Sequence, residues 1–158
     1  MRATETIAFD GRTQFHAVVL RALETCRHSV LIVDRSLEDW PLESAEGARV
    51  LRAALGRGAR LRILLRETDW VERHASRLQR LRREFSARVE IRRLPDNLHV
   101  VECLLIGDRQ HTVRRAHWDA MHGSCVLASP NEADAPTDRF ESAWQESVPC
   151  LPATTLGL

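Results

Sequence analysis

The sequence predicts an α/β domain, a mixed β-sheet of about six strands with helices on both faces. Three observations carry this. Short apolar runs alternate with stretches of helical period through the first two-thirds of the chain. Several strand-like runs then follow one another with no helix between them. An amphipathic segment comes last. At 158 residues the chain is read as one domain over 1–158, large enough to bury a real core.

Residues 1–12 form a polar lead with a turn at Asp10-Gly11. Phe15, Val18, Val19, Ala22, Leu23 and Cys26 recur with helical period, so 13–26 is an amphipathic helix. Ser29 to Asp34 is a continuous apolar run, as in a strand covered on both faces. Its end carries Asp34 and Arg35, where α/β proteins place ligand-binding groups. A loop with Trp40-Pro41 leads to a second helix around Ala48, Leu51 and Leu55, stopped at Gly56-Arg57-Gly58. From Ala59 to Arg66, Leu61, Ile63 and Leu65 alternate with arginines as in a strand. Asp69 with Glu72 reads as a capping-box start for a long helix reaching Phe85. Arg88 to Arg93 is a further short strand.

Leu98 to Trp118 then reads as a β-hairpin turning at Gly107-Asp108, and Ser124 to Ser129 as the last strand. Pro130 to Pro136 is read as a loop. Asp138 with Glu141 starts the final helix, with Phe140, Ala143, Trp144 and Val148 inward. Residues 149–158 form a tail without sheet or helix pattern.

All 23 basic residues are arginine. This excludes a Schiff base, a P-loop lysine and a lysine phosphate clamp. Charge is unevenly spread. Arg49 to Arg93 holds 14 arginines against 5 acids, a local +9; from Asp119 onward 6 acids face Arg139 alone, a local −5. The basic stretch reads either as a solvated surface or as a surface for phosphate or nucleic acid. Cys26, Cys103, Cys125 and Cys150 form no C-x-x-C pair, so no structural zinc is expected, and three of them sit in or beside apolar runs as buried thiols. No leader and no apolar run of spanning length occurs, so the expected location is the cytoplasm, without membrane contact.

On the second strand of the hairpin, His111, Val113, Arg115 and His117 share one face. His111, Arg114, Arg115 and His117, with Arg35, are the candidate anion-binding residues, since arginine offers bidentate hydrogen bonds to phosphate or carboxylate. His122 is a further neighbour. The same residues also read as a polar sheet surface or an interface salt-bridge cluster. The spacing of His111, His117 and His122 matches no known ligand pattern, so neither a metal nor a cofactor is expected.

The element order and the hairpin resemble one half of the phospholipase D superfamily, whose strand carries H-x-K-x(4)-D. Here His99 stands at the histidine, Val101 at the lysine and Ile106 at the aspartate; Gly107-Asp108 reverses the family's Asp-Gly. Arg115-Ala116 lies where a glycine and serine are expected. The resemblance implies a single half-domain whose two copies meet face to face, hence a homodimer. It also implies a phosphate-containing ligand. Attack by imidazole on a phosphodiester needs a cation over the equatorial oxygens and a carboxylate to orient the ring. Valine and isoleucine supply neither, and loss of one such donor costs about a hundredfold in rate. The expectation is therefore a non-catalytic module that binds an anionic ligand or a protein partner. The alternatives are a divergent phosphodiesterase using His99 or His117 with Arg115 replacing lysine, and a purely structural interaction domain. The sequence is also similar to small bacterial domains with the same Arg-Arg-x-His stretch and a W-Q-E-S…A-T-T-L-G-L tail, for which no activity is assigned.

Overall fold

Continuous apolar runs can be satisfied only where both sheet faces are covered. The computed structural model, which describes residues 3–100 and 102–149, puts those runs at the centre of the sheet. In chain order the strands are β1 (Glu5–Asp10), β2 (Ser29–Asp34), β3 (Arg60–Leu65), β4 (Val89–Arg93), β5 (Cys103–Gly107), β6 (His111–Arg115), β7 (His122–Leu127) and β8 (Val148–Pro149). The helices are α1 (Arg12–Thr25), α2 (Ala45–Gly56), α3 (Asp69–His74), α4 (Ser76–Glu84) and α5 (Pro130–Glu146).

The strands form one mixed sheet in the order β1-β7-β6-β5-β2-β3-β4-β8. β2, β3 and β4 run parallel, and every other pairing is antiparallel. Alternate residues of each strand serve different cores. Val30, Ile32, Leu61, Ile63, Leu105 and Val113 meet α1, α2 and α4. Leu31, Val33, Leu64, Leu104 and Ile106 meet α5 through Ala133, Phe140 and Trp144. Helices thus cover both faces, as expected.

The sheet has eight strands rather than about six. The residues read as a polar lead contain β1, an edge strand paired along β7 from Glu5↔Leu127 to Asp10↔His122. Only Phe9 is fully buried there, so an edge strand looked like a loop. β8 spans two residues and pairs with Arg92 and Arg93. The long helix breaks at Ala75 (φ −107°, ψ 55°) into α3 and α4, and no side-chain cap bond precedes Asp69. The last helix starts at Pro130, not Asp138. Ser129 accepts the Glu132 N–H, and Pro136 lies within the helix. The hairpin strands begin at Cys103, while Leu98 and Val100 pack on the α5 side. Val101, Cys150 and the tail from Leu151 lie outside the described residues. Cys26, Cys103 and Cys125 are buried free thiols.

Asp108 locks the hairpin to the start of β2. Its carboxylate accepts backbone N–H groups of Arg27 (3.0 Å), His28 (2.8 Å) and Ser29 (3.0 Å). Its φ of 51° is one that aspartate tolerates better than most residues. Asp108→Ala is expected to lower unfolding free energy by about 2–4 kcal/mol, and Asp108→Asn by about half as much, in urea titrations. Equal stability of all three proteins would show that the turn is not an anchor.

Candidate functional site

Parallel strands deliver their C-terminal ends to one edge of a sheet, and loops there make clefts. β2 ends at Asp34 and β3 at Leu65, followed by Arg66 and Glu67. β5 and β6 are antiparallel to one another, and register pairs Cys103 with Arg115 at this same edge. A cavity of about 390 Å³ lies here. Six carboxylates line it, from Asp34, Glu38, Asp39, Glu67, Asp69 and Asp119, against the guanidinium groups of Arg35 and Arg115. The cleft is therefore acidic.

Arg115 is the central side chain, and it is 3% exposed. Its Nη2 donates to Asp34 Oδ1 at 2.9 Å. Its Nη1 lies 3.5 Å from Asp39 Oδ2 and 3.0 Å from Met121 Sδ. The guanidinium sits 5.1 Å over the Phe15 ring. Burial works against its charge, but attraction to Asp34 prevails and its pKa is raised. Asp34 is equally committed. Its other oxygen accepts from Leu37 N at 2.8 Å and Ser36 N at 3.2 Å, holding Leu37 at φ 72°. Beside them, burial pushes the Cys103 thiol up to about 12, with Asp34 adding to the shift. It is not a nucleophile at neutral pH.

The other candidate residues scatter. His111 is buried at the opposite end of β6, and its Nδ1 accepts the Ala128 N–H at 3.0 Å. It shares a strand face with Arg115 but stands about 13 Å away, four residues along an extended chain. Arg114 is exposed on the α5 side, opposite Leu104. His117 is exposed, with Nδ1 3.7 Å from Asp119 Oδ2. Arg35 stacks at 6.0 Å over Trp118 and reaches Glu67 at 3.5 Å. His122 is exposed on β7. The structure therefore brings Arg35, Arg115 and the loop of His117 to one cleft, and leaves His111 and Arg114 outside it.

His99 is exposed in the segment before β5. Arg66 holds that segment by donating to the carbonyls of Pro95 (2.8 Å) and Leu98. Ile106 is fully buried in the sheet. Among the described residues, no group of three or more His, Cys, Asp or Glu side chains is placed to hold a metal ion. No helix among them is long and apolar enough to cross a membrane. Asp39, Glu67, Asp69 and Trp70 are not among the site residues the sequence suggests; Asp69 reads there only as a helix start. The available signal was that β3, parallel to β2, must end at the same edge, so Glu67 belonged with Asp34.

The family model of a domain of unknown function, DUF7931, matches residues 11–156. The chain belongs to this family. A search of curated proteins gave no match. Solved structures show the fold of this DUF7931 domain. Nuc from Salmonella typhimurium, a phospholipase D family member, superposes with a TM-score of 0.63 at 15% identity, covering 92% of this chain and 95% of that one. NucT from Helicobacter pylori gives 0.60 at 10% identity, with 94% and 100% covered. The archaeal chromatin protein TrmBL2, described as binding DNA, gives 0.69 at 16% identity. That match covers 92% of this chain but 54% of TrmBL2, so the chain spans about half its length.

Proposed function

We propose that the chain is a non-catalytic module on a phospholipase-D-like fold, and that its ligand is a phosphate-containing polyanion held on the basic surface rather than in the strand-end cleft. The observation carrying this reading is the buried Arg115–Asp34 pair. The one cation at the heart of the cleft already has its anion, 2.9 Å away. Around it, carboxylates outnumber arginines and repel a phosphodiester. The thiol there is protonated. His99 has no orienting carboxylate among the described residues, and His117 has only an exposed one at 3.7 Å. The polyanion part draws support from the arginine-rich stretch 49–93 and from the DNA binding described for TrmBL2.

Hydrolysis of bis-p-nitrophenyl phosphate tests the non-catalytic part. Wild type, His99→Ala and His117→Ala are expected to match the buffer blank. A wild-type rate about tenfold or more above the histidine variants would establish the divergent phosphodiesterase instead.

A further inference from the structure

We propose that the groove between α2 and α4 is a sequence-independent site for the phosphodiester backbone of duplex nucleic acid. The inference rests on the polyanion reading and locates it.

The groove has a volume of about 260 Å³. Ala45, Ala48 and Leu81 lie along it, and four arginines line it, Arg49 and Arg52 from α2 and Arg77 and Arg80 from α4. No carboxylate is among its lining residues. Each pair is spaced i, i+3, so its members lie about one turn apart on one face of the helix. Arg83 continues the α4 row and is exposed.

Four arginines along one lining, two of them without a carboxylate, set this groove apart. Elsewhere some exposed or half-buried arginines have carboxylates, as Arg12 with Asp39, Arg21 with Glu5, Arg62 with Glu141 and Arg139 with Glu102. Arg27, Arg60, Arg73, Arg109 and Arg114 are exposed without an ion pair among the described residues but stand apart from one another along the chain. In the groove, Arg49 and Arg80 make no ion pair or hydrogen bond among the described residues. Arg52 meets Glu84 at the rim. Arg77 makes no direct ion pair with Glu43. The Glu43 carboxylate accepts the backbone N–H groups of Arg77 (2.9 Å) and Leu78 (3.0 Å), while Arg77 Nη1 donates to the Glu43 carbonyl at 2.9 Å. Arg49 and Arg80 are left without counter-charge beside Arg52 and Arg77, and a row of phosphates is what that arrangement complements. Guanidinium groups bind phosphate oxygens bidentately.

The rest of the molecule sets the orientation and the type of nucleic acid. The exposed acids Asp134, Asp138 and Glu146 lie on α5, across the sheet from the groove. They leave its potential intact and turn a polyanion away from the far side. The groove lining contains no aromatic side chain, so it has nothing on which unpaired bases could stack. It can grip only the backbone, which carries no sequence information directly.

Fluorescence anisotropy of the full chain with a labelled duplex of about 20 bp, over about 50 to 200 mM salt, tests this. Arg49→Gln/Arg80→Gln is compared with Arg21→Gln/Arg139→Gln, which removes equal charge outside the groove. The groove variant is expected to lose about tenfold in affinity, with the slope of log K against log salt smaller by about 2. The matched variant is expected to stay within about twofold, and scrambled duplexes to bind equally. Equal losses in both variants would overturn the groove. Wild type that binds heparin or inorganic phosphate but not duplex, or prefers a single strand by about tenfold, would overturn the duplex assignment and leave the polyanion reading standing. Wild type that binds none of these would end both. Salt-sensitive self-association without nucleic-acid binding, abolished in the groove variant, would identify α5 of a second copy as the occupant.

Discussion

Arg115→Met is expected to lower the unfolding free energy by about 3–5 kcal/mol, read from urea midpoints at constant m-value. The guanidinium and Asp34 carboxylate are each almost fully enclosed, with side chains 1% and 3% exposed. Removing the cation leaves a charge in the protein interior facing two backbone N–H groups and the Cys103 thiol. The double variant Arg115→Met/Asp34→Asn keeps an oxygen for Leu37 N–H and removes the stranded charge. It is expected to recover about half of the loss or more, because breaking a buried pair costs more than replacing both partners. A single-variant loss below about 1 kcal/mol would show that the pair is a solvated contact and that Arg115 is open to a ligand.

Trp144→Ala is expected to cost about 3–5 kcal/mol, seen as a lowered thermal midpoint and lost near-ultraviolet circular dichroism. Trp144 is 6% exposed and stacks on Phe140 at 5.7 Å. Arg92 lies 4.3 Å and Arg62 5.3 Å from its ring, so two cations hold α5 onto the sheet through one indole. Trp144→Phe keeps a ring and is expected to lose less than half as much. Equal losses for alanine and phenylalanine would show that the fit of the indole, and not the cation–ring contacts, secures the helix.

The inward face of α5 with Phe140, Ala143 and Trp144 was legible in the sequence, whereas the Arg115–Asp34 pair was not. The strands β2 and β5 were legible because uninterrupted apolar runs have few other uses, and β3 because its apolar residues alternate with arginines. β1 was not, since an edge strand buries little and its polar residues mimic a loop. The start of α5 was hidden because Pro130 to Pro136 reads as a loop. The helix accepts Pro136 because Ser129 caps the first turn and Ala133, Pro136, Thr137 and Phe140 form its buried stripe. Glu132, whose carbonyl loses the proline's missing N–H, is on the exposed side, where water can replace it. In the candidate site, alternation correctly placed His111 and Arg115 on one strand face. It could not say that this face points inward, or that the two ends of β6 lie far apart. The Arg115–Asp34 contact joins residues 81 positions apart and left no local trace. The arginine groove was visible only as a charge run; the meeting of α2 and α4 turned part of that run into a surface with a shape.

The three enclosed thiols offer a final consequence. Cys26 follows α1, Cys103 opens β5 and Cys125 lies within β7. Burial raises them to about 12, 12 and 11, so hardly any thiolate exists at neutral pH while the protein stays closed. Alkylation at each position therefore keeps time on a local opening event. The chain carries its own three clocks, one at the hairpin turn, one at the cleft and one near the sheet's edge, and their relative rates rank how readily each part breathes.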